Sequence, residues 1–226
     1  MDTPSAAGRT APVPSYLDRA PTEMFPSMSA PDPRVAIVDG AITAFRRSAF
    51  HQVTEEQVAT AAGMTVQAVS NQFPSWDGLV MAVIDRWNSQ RMRPLLPLVD
   101  RGAVVFLRGI VKANIADPAL MRFLTATVNI AATPEHPMAA HLHHEWHRFH
   151  SLVKTTLSDD IRRGLEPETM EPGRGAEQLI ALYEGLQLQS MVRPGMNLLD
   201  AYDRAVTRLR DGWSRAYTPP VWDLNS

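Results

Sequence analysis

Apolar residues recur at helical spacing along most of this chain, and no two-residue alternation persists anywhere. Val38, Ala41, Ile42 and Phe45 fall at i, i+3, i+4 and i+7, one stripe of an amphipathic helix. Residues 54–73 read as two short helices around Gly63. Pro74 then ends the pattern, and Ser75 can cap a long helix running to about Arg93. Beyond Pro94 the periodicity predicts helices at about 99–114, 118–132, 138–163, 172–192 and 198–216. Asp117-Pro118, Thr133-Pro134, Gly164, Pro172 and Pro194-Gly195 separate them. The fold class expected is all-α.

The segment TEEQVATAAGMTVQAVSNQF carries the clearest local chemistry. Thr54 precedes Gln57 by three residues, so each side chain can satisfy a free backbone amide at the start of a helix. Val58, Ala61 and Ala62 give a small apolar face, and Gly63 stands where a helix closes in a left-handed residue. Thr65 can cap the second helix, which turns Val69 and Phe73 inward. This is the outline of a helix-turn-helix, whose second helix enters the major groove of DNA. Gln67, Asn71 and Gln72 suit adenine edges, and Val66 suits a thymine methyl.

The phrases AITAF, VTEEQVATAAGMT and FPSWDGL make residues 34–80 resemble the tetracycline-repressor family of bacterial regulators. EHP at 135–137 and YEGLQLQSMVRP at 183–194 resemble the effector domains of its members. The resemblance implies a three-helix DNA-binding domain at 34–80 and a helical ligand-binding and dimerisation domain at 81–217. It also implies a homodimer on palindromic operator DNA, released by a small-molecule effector, with repression as the family default. Candidate DNA contacts are Arg46, Thr54, Thr65, Val66, Gln67, Ser70, Asn71, Gln72 and Trp76.

The departures from the family pattern matter as much. Ser70 and Trp76 occupy positions where the family places a tyrosine and a lysine on phosphates, and Ala49 replaces a frequent glycine. Between Arg34 and Leu79 three arginines face four carboxylates, and Val66–Gln72 carries no charge. Phosphate neutralisation supplies most non-specific DNA affinity. A regulator-like dimer with an impaired reading head, working through protein partners or a heterodimer, therefore stays open beside the first reading.

Composition narrows the rest. The chain has 226 residues, a net charge of −2 and no cysteine, which removes disulfides and thiolate chemistry. No apolar run reaches the length of a membrane span, and no basic-then-apolar leader is apparent; the cytoplasm is expected. There is no G-x-S-x-G, phosphate-binding glycine loop or H-E-x-x-H, so no enzyme and no cofactor are expected. Residues 1–33 hold seven of the 18 prolines and predict a disordered arm; 218–226 read as a tail.

Within the helical region, Trp87, Phe106, Phe123, His143, Trp146, His147, Phe149, His150, Tyr183 and Gln187 are candidate effector contacts, although helical aromatics also build cores. Their few charges favour an uncharged, largely apolar effector. Leu199, Tyr202, Val206, Leu209 and Trp213 are spaced 3, 4, 3, 4, a coiled-coil-like seam. With Leu179, Leu182 and Leu186 it could form a dimer interface or close the monomer core. Asn197 can cap that helix. His143, His147 and His150 share a helical face, which leaves open a metal or proton sensor, or a catalyst, on this scaffold; no metal site is assigned.

Overall fold

The computed structural model describes residues 32–216, within which there are nine α-helices and no strand. The arm to residue 31 and the tail from 217 lie outside the described residues. The first four helices are α1 (Pro33–Arg47), α2 (Glu55–Ala62), α3 (Val66–Gln72) and α4 (Trp76–Met92). Then come α5 (Ala103–Ala116), α6 (Pro118–Ala131), α7 (Ala139–Arg162), α8 (Pro172–Val192) and α9 (Leu198–Trp213). None is long and apolar enough to cross a membrane.

α9 ends at Trp213 rather than near 216, and the start of α5 also differs from the periodicity. Pro33 opens α1, where its missing N–H costs nothing. The segment Arg93–Arg101 is 3-10 helix, so α5 starts at Ala103 rather than near 99. Pro97 cannot donate to an α-helical ladder, and the tighter winding sets Leu95 and Leu98 one turn apart against α5.

One core gathers Ile37, Val38, Ala41, Ile42 and Phe45 of α1 with Val58 and Val69 of the next two helices, then Leu79, Val83 and Trp87 of α4. It does not stop at residue 80. Leu120 and Phe123 of α6 and Leu142 of α7 belong to the same core. The four-residue stripe expected on α1 is buried throughout. On α2 the buried pair is Val58 and Ala59, whereas Ala61, expected on that face, is exposed. Ala59 sits one position after Val58 and shares its inward side; Ala61 has turned too far.

A second core joins α5, α7, α8 and α9 through Phe106, Leu107, Ile110, Val153, Leu157, Leu179, Tyr202 and Trp213. Residues of the expected dimer seam also build this core. Leu179 and Tyr202 are wholly buried within the protomer, Val206 and Trp213 nearly so, and Leu182, Leu186, Leu199 and Leu209 pack against the same core. Polar contacts lock α9 in that orientation. Tyr202 donates to the Val104 carbonyl at 3.2 Å, Trp213 Nε1 to Gln178 at 2.8 Å, and Arg108 grips Asp203 with two bonds of 2.7 Å. A 3-4 seam fits any complementary helix face, and α5 and α8 of the same chain supply it. Buried Asp160 accepts the Ala103 amide at 2.8 Å, fixing the start of α5 to the end of α7.

Candidate nucleic-acid interface and bundle network

The helix-turn-helix forms because each end has a capping group. Thr54 accepts the Gln57 amide while Gln57 reaches back to the Thr54 amide at 3.1 Å. Gly63 closes α2 at φ 67°, a conformation that side chains resist. Thr65 accepts the Ala68 amide to open α3, and Ser75 accepts the Gly78 amide to open α4. Gly40 sets how closely the motif sits on α1, since a Cβ there would lie 2.7 Å from the Ala62 nitrogen.

On the exposed side of α3 stand Gln67, Asn71 and Gln72, with Val66 half-buried and Thr65 exposed beside them. Gln67 Nε2 donates to Asn71 Oδ1 at 2.9 Å, which aligns two amides as one unit. Other candidates point elsewhere. Ser70 Oγ lies 3.3 Å from a Glu55 carboxylate oxygen and 3.2 Å from the Val66 carbonyl, and is half-buried. Trp76 packs into the head, its ring 6.1 Å from that of Phe45. Arg46, expected on the DNA side, instead pairs with Asp117 at 2.7 Å and lies 4.9 Å over the Trp87 ring. The reason is local: Arg46 ends α1 on the side that meets α4 and the α5–α6 junction, where Asp117 offers a charge. Arg34 stacks at 4.0 Å on Phe73 and donates to the Gln72 carbonyl at 2.8 Å, which holds the end of α3.

The candidate effector residues separate into three places. Trp87 and Phe123 belong to the first core, with rings 5.6 Å apart, and Trp87 donates to Asp117 at 2.8 Å. Phe123 also meets Phe45 at 4.6 Å and Phe50 at 5.7 Å, so it links α6 to the head. Phe106 is fully buried in the second core. Phe149, Trp146 and Tyr183 form a row, with ring separations of 6.4 and 6.3 Å.

The histidines do not stack. His143 meets the Ala131 carbonyl at 2.7 Å, His141 meets Asp85 at 3.0 Å, and His147 is exposed beside His144 in a shallow surface groove. His150 is half-buried one turn further along α7. Among the described residues no group of three or more histidines and carboxylates is arranged to hold a metal ion.

Between the helices runs a polar network that the aromatic candidates only touch. Buried Asn114 donates to the Tyr183 hydroxyl at 2.8 Å and to Gln187 Oε1 at 3.0 Å. Its own carbonyl accepts from Arg91 Nη1 at 2.7 Å. Tyr183 and Gln187 were legible as candidates; Asn114 and Arg91 were not. A signal existed in α5, where Asn114 continues the stripe of Phe106, Leu107, Ile110 and Val111. An amide on such a face must find buried partners.

No protein-family model matches the sequence, and no curated relative does. Solved structures do match. A TetR transcription regulator from Haloarcula marismortui superposes with a TM-score of 0.71 at 14% identity, covering 80% of this chain and 97% of its own. FadR of Thermus thermophilus, a TetR-family repressor in complex with lauroyl-CoA, gives 0.57 at 19% identity, covering 83% and 98%. A Saccharomonospora viridis protein in complex with choline gives 0.66 at 16% identity, covering 79% and 95%. The fold of this chain is the TetR-type fold, a helix-turn-helix head on a helical bundle.

Proposed function

We propose that this chain is a dimeric, ligand-responsive transcriptional regulator that binds palindromic operator DNA through α3. The observation that carries the reading is the helix-turn-helix itself, capped at each helix start and presenting the Gln67–Asn71 amide pair outward. Each amide can make the two-pronged contact that adenine accepts. The solved relatives of this fold include regulators, one bound to lauroyl-CoA, which supports a small-molecule effector inside the bundle here.

Two-fold operators call for two heads about 34–36 Å apart. The outer face of α8 supports such pairing. Ala181, Gly185, Leu188 and Val192 are exposed at spacings of 4, 3 and 4, with Leu188 53% and Val192 70% accessible. Small residues followed by large apolar ones form a surface that a second copy of the same helix can cover. Effector binding then acts as a population shift, favouring the pose in which the heads no longer match the operator. Repression by occluding a promoter is the mode proposed for the operator-bound dimer.

A second reading is favoured by the charges of the head. Arg46 is committed to Asp117, Ser70 to Glu55, and α3 carries no cation. A head so poor in phosphate contacts would act through a partner protein or a better-reading subunit.

Fluorescence anisotropy on a selected palindrome and on scrambled DNA, across a salt series, separates the two. The first reading expects a preference for the palindrome with a shallow salt slope, because few counterions are released. Gln67→Ala and Asn71→Ala should each reduce discrimination at one base position by about 1–3 kcal/mol. Equal binding to both DNAs, unchanged by either substitution, favours the second reading.

A further inference from the structure

Arg91 stands in the last turn of α4 with its guanidinium turned into the bundle. Nη1 donates to Asn114 Oδ1 at 2.7 Å and to Met121 Sδ at 3.4 Å. Nη2 donates to Asn88 Oδ1 at 2.6 Å and to Met92 Sδ at 3.7 Å. Nε is buried and has no hydrogen-bond partner. All four acceptors are neutral, two of them thioethers, which accept weakly.

Two other arginines of this chain show what that edge of a guanidinium takes. Arg86 places Nε and Nη2 on the two oxygens of Asp39 at 2.5 and 2.7 Å. Arg108 does the same with Asp203, at 2.7 Å for both. Arg91 turns the same pair of donors inward with no carboxylate against them. A guanidinium cannot shed its charge as a buried lysine does. A cation with a buried, unsatisfied donor is costly in the free protein. That cost is removed when an anion arrives.

We propose that Arg91 is the receptor for the carboxylate of a small organic acid, which is the effector of this protein. The inference rests on the reading of the bundle as an effector domain, and it replaces the uncharged ligand expected from the sequence. Carboxylate oxygens would take Nε and Nη2, the Asn88 amide giving up its place on Nη2. The Asn114–Tyr183–Gln187 network braces the guanidinium from the other side. Met92 and Met121 meet the apolar part of the acid, and their flexible side chains make room for it.

The test pairs each acid with its own primary amide. Monocarboxylates from butanoate to dodecanoate, and benzoate, are compared with the matching amides by thermal shift and calorimetry on the full-length protein. At least one acid should raise the melting temperature in a concentration-dependent way while its amide does not. Arg91→Met should weaken that acid about 30-fold or more. Arg91→Lys, which keeps the charge but not the fork, should recover only part of the loss. The wild-type comparison needs no variant to fold. A panel in which no acid outperforms its amide, or an Arg91→Met protein that binds the acid as the wild type does, overturns the proposal. DNA anisotropy with the bound acid is read separately. An acid that binds through Arg91 and leaves DNA affinity unchanged keeps the carboxylate site and overturns its role as the effector site.

Discussion

Capping residues were the most legible features of the chain because their physics is local. Thr54, Gln57, Thr65 and Ser75 act on amides within three residues, and each makes the bond its spacing predicts. Arg46 and Arg91 were illegible for the opposite reason. Each ends a helix, where a cation is ordinary, and only the folded chain brings Asp117 to one and buried Asn114 to the other. Glu184 is a third such residue. One carboxylate oxygen is buried without a hydrogen-bond partner, and burial pushes its pKa up from 4.5 to about 7. Between those values the folded state holds a proton that the unfolded state has lost. Stability contributed by this site therefore falls as pH rises from about 4.5 to about 7, and the penalty is complete above that window. Glu184→Gln keeps the shape without the charge. It should raise the melting temperature at pH 8 and change it little at pH 5; equal shifts at both would show that Glu184 does not titrate in this way.

Helix positions followed from periodicity, but partners did not. The 3-4 seam of α9 gave the right buried face, yet spacing alone cannot say whether the covering helix belongs to the same chain or to another. Tyr202, Val206 and Trp213 are covered by α5 and α8 of the same protomer, held there by the Arg108–Asp203 pair. The proposed dimer uses the outer face of α8, where Leu188 and Val192 stand exposed. Leu188→Asp with Val192→Asp should give a monomer at micromolar concentration whose melting curve stays cooperative. Val206→Asp should instead unfold the protomer, since an uncompensated buried charge costs about 3–5 kcal/mol. Sedimentation with thermal melting reads both. A double variant that remains dimeric would place the interface elsewhere.

At the scale of the whole molecule, head and bundle share one core. Phe123 of α6 lies against Phe45 and Phe50, and Met121, two residues earlier, accepts from Arg91. Asp117, at the start of α6, holds both Arg46 of α1 and Trp87 of α4. α6 thus touches the head through Phe123 and Arg91 through Met121, and a ligand with different affinities for two poses of α6 would shift the head with it. Selection of genomic fragments by the purified full-length protein tests whether the head reads DNA as a two-fold dimer. One enriched palindrome with half-sites about one DNA turn apart is expected. Enrichment no better than that of unselected fragments would rule that out.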